Sequence, residues 1–553
     1  MTDLRKHHRI LFYSLWLLLG GIQAAFTELQ NDEAYYWVYA RFLNWGYFDH
    51  PPMVALLIRL GSFLPGELGV RLLPLLCSTG TLWLTEKLLR HRDPFLFYAI
   101  AFSLAVVQVT GFLAVPDTPL LFFTALFFYA YKKFAAAPSV LHTTGLALAM
   151  ALLLYTKYHA VLIIFFTLLS HLHLLRKPQA WLAAAGAALL YVPHLWWQWE
   201  HGWISFRYHL FESNVDPYKV SYTLEYIAGQ LLLAGPLAGV ILLWATFRQK
   251  PADAAERALK FTAVGIFLFF FVSSFKGKVE ANWTAPALVP MIVLTHAWLY
   301  GRPGPRRWLH RLLVPTLLLV ALVRVAMIVD FLPVKFIWSQ YHAWKGWPQE
   351  LKEKTGGRPL VFYNSYQRAS KYWFYTGVPS FSLNDYRKRR NNYNYWPVED
   401  TLLGQPVYLL DYGNLPAFQD SARTRGGWIG LSYDSAFHSF GKVQFTAEQR
   451  KQQAARGQEL ALRLKVVVPD AVRRYLQQHP EVNPAVVIGV FRGREWRQNV
   501  NGGLRLQDLG RIQTWTIRWT PDLEPGDYVL RMAIEAEGGN FTHNSDKISL
   551  QVH

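Results

Sequence analysis

The stretch Asn31 to Pro52, NDEAYYWVYARFLNWGYFDHPP, lies between two long apolar runs. It carries three acids (Asp32, Glu33 and Asp49), a Pro-Pro break and a dense set of aromatics. A plain connector between two membrane helices needs none of these. Ionisable groups held close to lipid are costly and usually have a job. The loop therefore reads as a functional site, and the rest of the chain as a scaffold holding it at a bilayer surface.

Working outward, Arg5, Lys6 and Arg9 precede an apolar run from Ile10 to Phe26. More apolar runs follow at once, so this is read as an uncleaved first membrane helix rather than a signal peptide. Further runs of spanning character lie near Leu68–Leu84, Phe95–Val115, Thr118–Tyr131, Val140–Tyr155, His159–Leu175, Ala180–Trp197, Leu224–Phe247, Phe261–Phe275, Ala285–Tyr300 and Leu312–Phe331. Together they predict about eleven spans. Val54–Leu64 is too short to cross, and its Pro-Pro start suits a helix N-terminus, which predicts an interfacial helix.

Charge sets the orientation. Alternate loops hold Arg5, Lys6 and Arg9; Lys87, Arg90 and Arg92; Lys132 and Lys133; Arg176 and Lys177; Arg248, Lys250, Arg257 and Lys260; and Arg302, Arg306, Arg307 and Arg311. The opposite loops hold far fewer: Arg41, Arg59, Lys157, Arg207, Lys219, Lys276 and Lys278. Positive charge marks the cytoplasmic side. The N-terminus is thus expected inside. The Asn31–Pro52 loop, Asp117, Lys157, the Trp196–Tyr222 loop, the Lys276–Asn282 loop and everything after about Asp330 are expected outside.

The bulk numbers agree. The 553 residues are 52% apolar and 16% aromatic, with a mean hydropathy of only +0.11 because the last two-fifths are polar. The net charge is +19, and the basic residues of the first half cluster in short loops between apolar runs, which fits membrane orientation rather than nucleic-acid binding. Cys77 is the single cysteine, so no disulfide within the chain holds the tail together.

Three regions follow: a transmembrane region over 1–332, a mixed α/β region over 333–454, and a β-sandwich-like region over 455–553. In the second, Leu360–Tyr363 and Pro406–Leu410 read as buried strands, with a charged helix at Trp347–Lys354. In the third, alternation predicts strands at Leu460–Val467, Ala485–Phe491, Gln513–Trp519 and Tyr528–Ile534. Turns at Asn501-Gly502-Gly503 and Pro525-Gly526-Asp527 separate them.

The candidate chemistry comes from Asp32, Glu33, Asp49, His50, Asp117, Lys157, His209, Glu212, Lys276, Lys278 and Glu280, all predicted on one face. A carboxylate there can take a proton from an attacking hydroxyl or amine. Cations can hold a phosphate leaving group. Carboxylate with imidazole also suits a divalent metal. Plainer roles compete: Asp32 and Glu33 as acids at a helix N-terminus, Asp117 as a helix cap, Lys157 as a snorkelling side chain, and the outer tryptophans as an interface belt.

Asp32-Glu33-Ala34-Tyr35-Tyr36-Trp37 followed by Trp45-Gly46-Tyr47-Phe48-Asp49-His50-Pro51-Pro52 resembles the first outer loop of multi-spanning GT-C glycosyltransferases. The resemblance is to the bacterial group related to protein O-mannosyltransferases, lipid A aminoarabinose transferases and Rgt-like lipopolysaccharide sugar transferases. Pro116-Asp117-Thr118-Pro119 and Thr156-Lys157-Tyr158 fall where that group keeps an acid and a lysine. The resemblance implies a sugar donor on a polyprenyl (undecaprenyl-type) phosphate, and a glycan, lipid or protein acceptor. It implies a bacterial inner-membrane location with the C-terminal region on the periplasmic side. Asp32 or Glu33 would be the general base of an inverting transfer. Asp49, His50, Asp117, Lys157, Lys276 and Lys278 would bind substrate. In aminoarabinose transferases the Asp49 position is Glu and helps hold a metal, and the His50 position is Lys and faces phosphate; this chain differs at both. Asp49 with His209 is the nearest metal pair it offers. Two other classes stay open at this point. A transporter or flippase of lipid-linked sugars would carry its acids mid-span, and a non-catalytic anchor for the tail would not require Asp32-Glu33.

Overall fold

The structure, a computed structural model, describes residues 7–212, 217–411 and 418–553. Arg5, Lys6 and part of the Trp196–Tyr222 loop fall outside the described residues. Two compact units divide the chain, Met1–His342 and Ala343–His553.

The first unit is helical. The eleven apolar runs fold as α1 (His8–Phe26), then, beyond the first loop and its two short helices α2 (Asn31–Arg41) and α3 (Met53–Gly61), as α4 (Gly66–Leu88), the broken pair α5 (Pro94–Ser103) and α6 (Ala105–Thr110), α7 (Asp117–Ala136), α8 (Val140–Leu154), α9 (Ala160–Ser170) and α10 (Pro178–Glu200). After the four-residue α11 (Ile204–Arg207) come α12 (Val220–Ala234) with α13 (Gly239–Arg248), α14 (Ala254–Ser273), α15 (Leu288–Leu299) and α16 (Pro303–Ile328); α17 (Lys335–Tyr341) closes the unit. Helix starts are marked in the sequence. Asp93, Ser139 and Asp253 accept from the backbone N–H three residues on, and Pro94, Pro178 and Pro303 open their helices.

Helix formation matches the expectation, but length does not follow it throughout. Among the described residues, α1, α4 and α16 are long and apolar enough to cross a membrane singly, and α12 with α13 passes only as a pair bent by 95°. Gly235 makes that bend. Its φ is +130°, and an added Cβ would sit 2.6 Å from the Ser103 carbonyl oxygen. The α5–α6 break at Leu104 is stabilised by Gln108, whose side-chain amide donates to the Phe102 carbonyl at 2.6 Å. The expected short helix after the Pro-Pro break is α3, which starts at Met53.

The second unit joins α18 (Trp347–Lys354) and α19 (Tyr366–Thr376) to three sheets. The first sheet is built from β1 (Leu360–Tyr363), β2 (Ser380–Leu383), β3 (Val407–Asp411), β4 (Asp420–Thr424) and β5 (Gly427–Asp434), in the order β2-β1-β3-β5-β4. Its β2, β1 and β3 run parallel, and β5 and β4 add antiparallel. The other two sheets face a shared core. One is the three-stranded sheet of β6 (Gln444–Ala447), β8 (Leu460–Val467) and β11 (Thr514–Trp519). The other follows the order β10-β9-β12-β14-β7, with β7 (Lys451–Ala454), β9 (Ala485–Arg492), β10 (Glu495–Arg505), β12 (Gly526–Ala536) and β14 (Ile548–Val552), and with β13 (Asn540–Phe541) paired to β12. The sandwich therefore takes in β6 and β7, which precede Ala455. Strand β8 alternates buried and exposed residues along its whole length, as its sequence pattern demands. One expected turn is not a turn: Asn501-Gly502-Gly503 lies inside β10 as a register shift, with Gly502 packed on the Trp515 ring.

Candidate active site

The first loop is not irregular. It opens as α2, with Asp32 and Glu33 in its first turn, where the helix dipole favours acids. Asp32 is half-buried and Glu33 fully buried. The Glu33 carboxylate receives Arg71 twice, from Nε at 2.8 Å and from Nη2 at 2.6 Å. It also accepts the main-chain N–H groups of Gln30 and Ala114, each at 2.8 Å. Arg71 spends its remaining donors on the carbonyls of Ala24, Thr27 and Glu28. One buried ion pair thus ties the end of α1, the start of α2, helix α4 and the turn before α7 into a single knot.

That turn leads directly to Asp117, the first residue of α7. Asp117 Oδ1 accepts from Lys157 Nζ at 2.8 Å, and Oδ2 from the Asn282 side-chain amide at 2.9 Å. Three loops distant in sequence therefore meet at one carboxylate. Both ion-pair partners are mostly buried, with 8% of the Lys157 side chain and 18% of Asp117 exposed. Lys276 and Lys278 are exposed on the loop that delivers Asn282, and Lys278 pairs with Glu280 at 3.2 Å.

The second half of the first loop packs on α10. Gly46 is required there, because a Cβ would lie 2.4 Å from the Trp197 ring. His194 Nδ1 is 2.7 Å from the Trp45 carbonyl, and Ser205 Oγ donates to the Tyr47 carbonyl at 2.7 Å. Gln198 joins this clamp to the Lys157 loop by donating to Ser205 Oγ at 2.8 Å and to the Tyr158 hydroxyl at 2.9 Å. Tyr47 stacks on Tyr39 at 4.0 Å between ring centroids.

Asp49 is buried beneath the aromatics of α2, with the Tyr35 and Tyr39 hydroxyls each 3.4 Å from its Oδ2. Burial, with Tyr35 and Asp49 alongside, holds the Tyr39 hydroxyl well above its usual pKa, so it stays a neutral donor. His50 lies edge-on to Tyr36, and its ring centroid is 6.4 Å from that of His209. His209 sits in the π-helical turn Tyr208–Glu212, and its Nε2 is 2.8 Å from the Asp49 main-chain oxygen.

Part of the sequence-derived set therefore meets: Lys157 at Asp117, and His50 and His209 beside Asp49, with Glu33 tied to the turn before Asp117 through Ala114, while Lys278 pairs with Glu280. Asp49 and His209 come together at the Asp49 main-chain oxygen. Among the described residues no group of three or more His, Cys, Asp or Glu side chains is arranged to hold a metal ion. Sequence reasoning passed over Arg71, His194, Gln198 and the Tyr35–Tyr39 pair. Arg71 had a signal: an arginine inside an apolar run is expensive and implies a buried partner. The others have none, since a histidine or glutamine near a helix end looks like any interfacial residue.

Comparison with known proteins converges on the GT-C glycosyltransferases that the first-loop motif resembles, and that resemblance is borne out. The profile of the family described as dolichyl-phosphate-mannose-protein mannosyltransferase matches residues 49–197. The lipid A galacturonosyltransferase RgtD of Rhizobium johnstonii is 27% identical over 316 residues, which are 54% of this chain and 66% of that protein, just under two thirds of its length. Among solved structures, ArnT from Cupriavidus metallidurans in the apo state superposes with a TM-score of 0.57 at 14% identity, covering 77% of this chain and 98% of that one. The same protein bound to undecaprenyl phosphate gives 0.55 at 13% identity, over 76% and 97%. At such identities the structural likeness establishes the fold.

Proposed function

We propose that this protein is an integral glycosyltransferase of the bacterial inner membrane that moves a sugar from a polyprenyl phosphate to an acceptor at the outer face. The observation that carries the reading is the meeting of Asp117, Lys157 and Asn282 at helix ends, tied through Glu33 and Ala114 to the helix that bears Asp32. A donor phosphate at the head-group plane and an acceptor presented at the membrane surface can meet only at such a boundary. The name of the Rhizobium relative and the undecaprenyl phosphate bound to the Cupriavidus protein support a lipid-phosphate donor and a lipid A-type acceptor.

In this mechanism Asp32 is the general base, because Glu33 is fully buried and its carboxylate already accepts four N–H groups. Asp32 takes the proton of the acceptor hydroxyl as that oxygen bonds to the anomeric carbon. The bond from that carbon to the donor phosphate breaks on the opposite side, and polyprenyl phosphate leaves. The anomeric centre inverts. Lys157, oriented by Asp117, together with His50 and the exposed Lys276 and Lys278, offsets the charge on the departing phosphate. Asp49 keeps the α2 tyrosines and the His209 turn in place. No step here is routed through a metal ion, since among the described residues no group of three or more His, Cys, Asp or Glu side chains is arranged to hold one.

The test is transfer from a polyprenyl-phosphate sugar pool to lipid A by purified protein, with sugar and acceptor identified by mass spectrometry of lipids from a deletion strain. Asp32→Asn should abolish transfer while the protein stays folded and inserted. An unchanged rate in that variant removes the assignment.

A further inference from the structure

A cavity lies toward the end of α7 away from Asp117. It is bounded by α7, α8, α9, the 3-10 turn Leu172–Arg176 and α10, with a volume of about 170 Å³. Tyr131, at its polar end, is fourteen residues along α7 from Asp117, roughly 20 Å at 1.5 Å per residue. The cavity is therefore separate from the site described above. Its walls are almost wholly apolar, including Phe127, Leu146, Met150 and Leu168. Apolar cavities of roughly 150 Å³ stay dry and take apolar guests. The mouth opens on α10 at Ala184 and Trp181, both exposed, and the Trp181 indole is fixed by a 2.9 Å bond to the Leu175 carbonyl.

The polar end has a definite sign. The Tyr131 hydroxyl is 3.3 Å from His171 Nδ1. Arg257, Lys177 and His173 all lie close enough to His171 to act on it electrostatically, and Arg257 acts on Tyr131 as well. The acid within reach of Tyr131 is Asp253, whose Oδ1 is already bound to the Glu256 N–H as the cap of α14. Arg176, also exposed, adds to the rim. A cationic cluster closing one end of a dry, lipid-facing cavity is complementary to a molecule with an anionic head and a hydrocarbon tail.

We propose that this cavity binds an anionic phospholipid. One acyl chain enters past Ala184 and Trp181 into the apolar space. The phosphate is held by Lys177 and Arg257, with His171, His173 and the Tyr131 hydroxyl as further donors. The site is independent of sugar transfer and requires only that these helices lie in a bilayer.

Full-length protein in detergent is titrated with dioleoyl phosphatidylglycerol, with dioleoyl phosphatidylcholine and with glycerol phosphate, and bound species are counted by native mass spectrometry. Phosphatidylglycerol should bind at least tenfold more tightly than phosphatidylcholine, and glycerol phosphate should not displace it. Ala184→Phe, which fills the mouth from an exposed position, and Lys177→Gln, which removes a rim charge, should each weaken phosphatidylglycerol binding at least fivefold. Melting temperature measured alongside keeps a folding defect distinguishable. Equal binding of the two lipids, displacement by glycerol phosphate, or wild-type binding in both folded variants would overturn the proposal.

Discussion

Arg71 and Glu33 are 38 residues apart in sequence and form a two-point ion pair, at 2.8 and 2.6 Å, in which neither side chain is exposed at all. Removing one partner of such a pair strands the other charge, at a cost of roughly 3–5 kcal/mol. Glu33→Gln and Arg71→Met should therefore lower the thermal midpoint sharply or prevent accumulation of the protein. Asp32→Asn, one residue away, should cost far less stability and leave the protein folded, yet stop transfer. Melting curves and turnover measured together separate the neighbours, and the same response from both would refute the division of roles.

The Asp117–Lys157 pair joins the start of α7 to the turn before α9. Asp117→Asn keeps the acceptor geometry toward Asn282 but loses charge compensation for Lys157. Transfer should fall by two or more orders of magnitude, with a stability loss of about 1–2 kcal/mol. Lys157→Met should do the same, and the double variant should lose little more than either single one, giving a coupling of roughly 1–3 kcal/mol. Strict additivity would show that the two residues do not act together.

Gly46 tests the clamp between the first loop and α10. A methyl group there meets the Trp197 ring at 2.4 Å, so Gly46→Ala must push the loop outward. Overpacking of this kind costs typically 1–3 kcal/mol. Transfer should drop, and Trp197→Ala in the same chain should restore part of it by making room. If the second substitution worsens the first, the loop is not seated as described.

In the second unit His438 Nδ1 lies 2.8 Å from Glu537 Oε1. Burial alone would lower the His438 pKa, but the hydrogen bond and charge of Glu537, with Asp434 nearby, outweigh it and hold it above the ordinary value. A raised folded-state pKa means the stabilisation is fully present below the unfolded value, about 6.5, and is lost as pH rises through the folded value. The wild-type thermal midpoint should therefore exceed that of His438→Gln at pH 6 and approach it at pH 9. The difference should be roughly 2–4 °C if the pair contributes about 1 kcal/mol. An advantage that grows with pH would have the wrong sign.

Much of this protein is written locally. Apolar runs placed the eleven apolar helical segments of the first unit, though not α2, α11 or α17, because burying a helix's worth of backbone in an apolar setting needs only contiguous side chains. Alternation placed β8 residue for residue, and the charged stretch Trp347–Lys354 folds as the expected helix. Asp32, Asp117 and Lys157 stood out because charges beside apolar runs are rare. The sequence alone determined the class of fold and the types of residue at the site. Only the tertiary structure decided which of the two acids is locked into a buried ion pair. Asp32 and Glu33 are adjacent and chemically alike, and what separates them is Arg71, an arginine delivered from another helix. Likewise the partners of Asp117 and the packing of Gly46 on Trp197 depend on contacts between segments far apart in the chain, and such contacts leave no periodic trace in either segment.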